Sequence, residues 1–168
     1  MGASAAVPDQ PCEPSFLSKF LSTVAFKPLP MPDHKIEMPD SNNTIEFGKY
    51  LVYNLECISC HSADFKTNDA LNPEKSAGFL GGGNKTLNTK GQVVVTQNLT
   101  PDEETGLGKW TEERFIKALK TGIMENEPAL RYPMMPYIQL TDQEAKAIYA
   151  YLRTVPPLKN SVPRSKFN

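Results

Sequence analysis

The chain has 168 residues, of which 39% are hydrophobic and 22% charged, enough for one core-forming domain with an extension. Its 18 Lys and Arg against 19 Asp and Glu give a formal net charge of -1; without a basic surplus for phosphates, nucleic acid is excluded as the main partner. No run reaches the roughly 20 apolar residues of a membrane-spanning helix.

Residues 1–40 read as a proline-rich extension. Pro8, Pro11, Pro14, Pro28, Pro30, Pro32 and Pro39 disfavour helix at and just before each position. The opening Met1-Gly2-Ala3-Ser4-Ala5-Ala6 has no charged segment followed by an apolar core, so it does not read as an intact signal peptide. One short helix is expected over 15–25, where Phe16, Phe20 and Val24 fall at four-residue spacing.

The first helix of the main domain is expected to start at Asn43 or Thr44, with Glu46 placed as in a capping box. Ile45, Gly48, Leu51, Val52 and Leu55 trace an apolar stripe that is expected to run on into Cys57-Ile58-Ser59-Cys60-His61. That last segment is the C-x-x-C-H pattern of covalent haem attachment. On a helix, positions i and i+3 share a face, with Cβ atoms about 5–6 Å apart. Thiols so placed each reach one vinyl group along a haem edge, and the next residue brings its imidazole under the iron. Cys57 and Cys60 are thus the attachment residues and His61 an axial ligand. A structural zinc site draws four ligands, usually from separated pairs; here the other candidates, Cys12 and His34, lie in the extension. A thioredoxin-like redox pair would follow a strand rather than an amphipathic helix.

A long connection, 62–109, contains Gly81-Gly82-Gly83 and a small hairpin around Val93-Val94-Val95. So many residues with so little regular structure imply a prosthetic group that completes the core. A second helix is expected from Thr111, with Trp110 and Phe115 forming a hydrophobic staple and Phe115, Ile116 and Leu119 the buried face. Next comes Pro133-Met134-Met135-Pro136-Tyr137, whose prolines restrict the backbone on both sides. Met135 is the expected sixth ligand. Met134 as ligand, both methionines as core filler, and His34 as a second histidine ligand are the alternatives. A third helix is expected from Thr141, boxed by Glu144, with Ala145, Ile148, Tyr149 and Leu152 inward and Pro156-Pro157 as the stop.

Together these features resemble the class I cytochrome c family over about residues 44–157. Asn98-Leu-Thr-Pro-Asp-Glu-Glu-Thr-Gly-Leu-Gly-Lys-Trp110 and Met135-Pro-Tyr are, more narrowly, similar to bacterial cytochrome c domains found with alcohol and aldehyde dehydrogenases or in multi-haem chains. The resemblance implies an all-α cytochrome c fold, with about three main helices and long loops wrapped around one covalent haem c. That domain would occupy 41–160, followed by a tail at 161–168. It also implies that the first and last helices cross near Gly48, with Tyr149, Tyr151 or Leu152 opposite. A proline carbonyl, for which Pro73 is the candidate, would accept the Nδ–H of His61. Trp110 and Arg131 would bond the haem propionates, with staple packing and a solvated charge as the respective alternatives.

The expected function is single-electron transfer rather than catalysis, with a dehydrogenase, another cytochrome or a terminal oxidase as redox partner. Haem attachment in this family implies an extracytoplasmic, periplasmic location, free or tethered to the membrane. The alternative is a haem enzyme, peroxidase-like or sulfur-oxidising, or a ligand sensor with an open or displaceable sixth site. Lys109, Arg114, Lys117 and Lys120 offer either a docking patch or a solvated helix face. Cys12 is expected as a free thiol or partner contact.

Overall fold

A computed structural model describes residues 13–25, 29–124 and 127–164; Cys12 lies outside these. The chain divides into two units, Met1–Glu37 and Met38–Asn168. In the first, helix α1 (Phe16–Val24) is capped by Ser15, whose side chain accepts from the Ser18 N–H at 3.2 Å. None of its residues is buried.

The second unit holds the remaining elements: α2 (Thr44–Asn54), α3 (Cys57–His61), single 3₁₀ turns at Phe65–Thr67 and Pro73–Lys75, strands β1 (Lys85–Leu87) and β2 (Val93–Val95), then α4 (Glu112–Thr121) and α5 (Asp142–Leu152). Most of its regular structure is helical. Its strands form one antiparallel pair with Lys85 opposite Val95 and Leu87 opposite Val93.

The helices start where their polar caps stand. Asn43 and Thr111 accept from the third residue onward, Glu46 and Arg114 respectively. Thr141 and Glu144 form a full capping box, with the Glu144 N–H on Thr141 Oγ1 at 3.2 Å and the Thr141 N–H on Glu144 Oε2 at 2.7 Å. The α4 helix ends at Gly122, whose φ of 71° is the left-handed conformation that glycine adopts without steric cost.

Two differences from the sequence expectation concern α2. Its buried face is Phe47, Gly48, Leu51 and Val52, while Ile45 is 37% exposed. The helix also does not continue into the cysteines. Leu55 caps it, and Glu56 turns into the left-handed region (φ 58°, ψ 25°), so that α3 is a separate short helix set at a new angle. The Ser59 hydroxyl donates to the Glu56 carboxylate across this break.

The core is built from α2 and α5, which cross at Gly48. Val52, Ala145, Ile148 and Leu152 are almost fully buried there. The α4 helix joins through Phe115, whose ring lies 5.4 Å from that of Tyr149 on α5. The Tyr149 hydroxyl donates to the Trp110 carbonyl at 2.6 Å.

The long connection is held by polar groups as well as by apolar packing. Asn98 Nδ2 donates to the Leu158 carbonyl at 2.7 Å, Asn98 Oδ1 accepts from both the amide and hydroxyl of Thr100, and the Leu158 N–H donates to Thr100 Oγ1. This buried knot ties the loop to the segment after α5, a restraint that apolar periodicity does not reveal.

Candidate haem-attachment site

The left-handed Glu56 aims a one-turn helix that carries every residue of the attachment motif. Cys57 and Cys60 are free thiols, Cys57 half-buried and Cys60 exposed. Burial pushes the Cys57 thiol up to about 12, with the charges of Cys60 and Glu56 adding and a backbone hydrogen bond opposing. The Cys60 thiol is also raised, by burial and then by Glu56. Both are therefore neutral S–H groups at pH 7.

His61 is 9% exposed, and its Nδ1 lies 2.7 Å from the Gln97 carbonyl oxygen. A carbonyl only accepts, so Nδ1 carries the proton and Nε2 keeps a lone pair. Burial lowers the pKa of the ring, partly opposed by the Gln97 bond, which keeps the imidazole neutral. A neutral imidazole with a free Nε2 is the form that ligates iron.

The acceptor differs from the expected one. Pro73 opens a 3₁₀ turn, and its carbonyl accepts from the Ser76 N–H at 3.0 Å. The chain beyond it folds back on α3, where the Gly82 N–H donates to the His61 carbonyl at 2.7 Å and brings Gln97 alongside the ring. Sequence reasoning missed Gln97 because a main-chain carbonyl carries no side-chain signature; only its position just ahead of Asn98-Leu-Thr-Pro marks it.

The methionine segment is fixed at its far end by Tyr137. The Tyr137 N–H donates to the Leu119 carbonyl at 2.9 Å, and its hydroxyl donates to the Leu55 carbonyl at 3.2 Å, two residues before Cys57. Burial raises the Tyr137 pKa, and the nearness of Cys57 and Cys60 raises it further. Tyr137, the last residue of the segment, thus lies near the cysteines. Within that segment Met134 is half-buried against the core, whereas Met135 is 59% exposed.

Trp110 is half-buried and packed on the core, with the Arg114 guanidinium 4.1 Å from its ring centroid. Arg131 is exposed, and its carbonyl accepts from the Met134 N–H at 3.0 Å. Among the expected docking cations, Arg114 pairs with Glu127 at 3.0 Å and Lys120 with Asp142. His34 sits in the first unit beside Asp33, at 2.6 Å.

Two neutral thiols spaced i, i+3 and a neutral imidazole with its outer nitrogen already bonded fit a covalently held haem. Comparison with known proteins agrees. The family model described as "Cytochrome c" matches residues 45–156. The chain therefore belongs to the cytochrome c family, haem proteins of electron transport. It is 35% identical over 127 residues, 73% of its length, to a fructose dehydrogenase cytochrome subunit of Gluconobacter japonicus, covering 24% of that protein. It is 34% identical over 71% of its length to the cytochrome c subunit of a quinone alcohol dehydrogenase of Gluconobacter oxydans, covering 23%. It is 30% identical over 82% of its length to a gluconate 2-dehydrogenase cytochrome c subunit of Pantoea cypripedii, covering 27%. The chain thus spans about a quarter of these relatives. Among the described residues, no helix is long and apolar enough to cross a membrane.

Proposed function

We propose that this chain is a single-electron carrier holding one haem c through Cys57 and Cys60, with His61 and Met135 as axial ligands. The observation that carries the reading is the His61 imidazole, buried, neutral and bonded through Nδ1 to Gln97, one residue from a thiol. When bound, the haem supplies an iron that exchanges one electron between its ferrous and ferric states. The chain's residues do the rest. Cys57 and Cys60 fix the porphyrin edge as each thiol adds across a vinyl group, sulfur to one carbon and hydrogen to the other. His61 donates its Nε2 lone pair, and Gln97 holds the ring in that orientation.

Met135 is favoured over Met134 because Met134 is committed to the core while the Met135 thioether is not. A thioether opposite histidine raises the potential and shields the iron from small molecules, which suits electron transfer. Arg131, four residues before Met135, and Trp110 are the proposed partners of the propionates. The relatives' names supply the proposed partner class: the electron donor is the catalytic subunit of a dehydrogenase that oxidises a sugar, alcohol or sugar acid. The proposed site of action is the periplasm, a reading supported by the family resemblance, since covalent haem attachment in bacteria is carried out outside the cytoplasm.

The test is Met135→Ala in the haem-loaded protein. The wild type is expected to show the far-red sulfur-to-iron charge-transfer band in its ferric form, and the variant to lose it. A band absent from wild type, or surviving in the variant, refutes the Met135 assignment. Rapid carbon monoxide binding by the unmutated ferrous protein would instead support a haem enzyme or a ligand sensor.

A further inference from the structure

We infer that Gly82, braced by Asn160 beyond α5, is the positioning residue that holds the Gln97 carbonyl on His61 and so sets the donor strength of the axial imidazole. The inference rests on the haem reading above and concerns residues outside the attachment motif.

The geometry is a backbone clasp. Segment 80–83 runs beside segment 96–99, joined by the Gly83 N–H on the Thr96 carbonyl at 2.9 Å and the Leu99 N–H on the Leu80 carbonyl at 2.8 Å. These two bonds flank Gln97, whose carbonyl faces His61. Gly82 lies between them and donates to the His61 carbonyl. Its φ is +72°, and a β-carbon there would stand 2.6 Å from the Gln97 carbonyl carbon and 2.7 Å from the Asn98 nitrogen. A side chain at 82 would displace the Gln97 peptide, so the approach of Gln97 to the ring depends on glycine.

The clasp is closed from outside. Asn160 Nδ2 donates to the Gly81 carbonyl at 2.9 Å and to the Gly82 carbonyl at 3.3 Å. Its own N–H donates to Thr105 Oγ1 at 3.0 Å, and Thr105 Oγ1 in turn accepts from Asn98 Nδ2. One residue, 99 positions after His61, therefore braces both strands of the clasp. A firmer Nδ1–H···O bond makes the imidazole a stronger donor and favours ferric iron. A loosened clasp weakens the bond and favours ferrous iron.

The experiment compares Gly82→Ala, Asn160→Leu and Gly91→Ala in the covalently haem-loaded protein. Asn160→Leu removes the Nδ2 donors with a side chain of the same branching and without adding charge, and it keeps the main-chain N–H on Thr105. Gly91 shares the φ of +72° but a β-carbon there meets nothing within 4 Å, so it controls for backbone strain alone. Redox titration and solvent exchange of the His61 Nδ1 proton are measured, with the far-red band as a check that the sixth ligand is unchanged. Gly82→Ala is expected to raise the ferrous-to-ferric ratio at fixed applied potential by about tenfold. Asn160→Leu is expected to raise it several-fold, both with faster exchange, while Gly91→Ala leaves both readouts alone. A folded, haem-loaded Asn160→Leu protein with wild-type potential and exchange overturns the inference, and decides it even if Gly82→Ala does not fold. A shift in Gly91→Ala equal to that in Gly82→Ala also overturns it. Failure of the wild type to retain haem would refute the underlying reading instead.

Discussion

Gly48 of α2 and Ala147 of α5 meet with no space for a side chain: a β-carbon on Gly48 would stand 2.6 Å from the Ala147 carbonyl carbon and 2.9 Å from Tyr151 Cβ. The crossing of the two helices that bury Val52, Ile148 and Leu152 depends on this contact. Gly48→Ala is therefore expected to destabilise the protein by about 1–3 kcal/mol, despite alanine's better helix propensity, because overpacking forces the backbones apart. Urea unfolding of wild type and variant measures it.

Tyr137 links the methionine segment to the end of α2. Tyr137→Phe removes the hydroxyl's bond to the Leu55 carbonyl and is expected to cost about 0.5–1.5 kcal/mol. The same substitution should weaken the far-red band on mild heating at a lower temperature than in wild type. Temperature-dependent absorption of the ferric protein follows both changes.

The capping box at Thr141 offers an independent check on α5. Thr141→Ala deletes the acceptor for the Glu144 N–H and the hydroxyl's bond to the Glu144 carboxylate, which keeps only the main-chain N–H of residue 141, at an expected cost of about 1 kcal/mol. The crossing at Gly48 lies beyond the first turn, so the potential of the haem should be unchanged.

The Cys57 thiol carries a pH prediction for the chain before haem attachment. Its folded pKa is pushed up to about 12, above the ordinary thiol value of about 8.5 in the unfolded chain. The folded form thus holds its proton where the unfolded form releases it. The resulting stability is fully present below about pH 8.5 and declines as pH rises toward 12. Denaturant titration of the haem-free chain at pH 7 and pH 10 should give the lower midpoint at pH 10, and Cys57→Ser should reduce the difference.

Much of this organisation is legible in the amino-acid order because it is written in local side-chain chemistry. The Cys57, Cys60 and His61 spacing and the caps at Asn43, Thr111 and Thr141 each carry a pattern that a few neighbouring positions define, whereas the crossing at Gly48 comes from the family resemblance. What escaped is non-local or main-chain. The break at Glu56 uses a left-handed conformation in a residue that does not advertise it, so α2 and α3 read as one helix. The choice of Phe47 over Ile45 for the buried face follows from how α5 lies across Gly48, which periodicity alone does not resolve. The acceptor for His61 is a carbonyl 36 residues away, reached through glycine backbone and an asparagine near the C-terminus. Resemblance pointed to Pro73, but the fold-back of the connection supplies Gln97 in its place.

On the proposed reading the porphyrin is joined to this chain by carbon–sulfur bonds at Cys57 and Cys60. The most direct test of that reading is mass spectrometry of the denatured protein, expressed alongside haem-attachment machinery and extracted with acidified organic solvent. The expected product is a chain heavier by the mass of one haem, with the pigment retained after extraction and lost when both cysteines are replaced by serine. A colourless product, or a chain of unmodified mass whose pigment passes into the solvent, would contradict it.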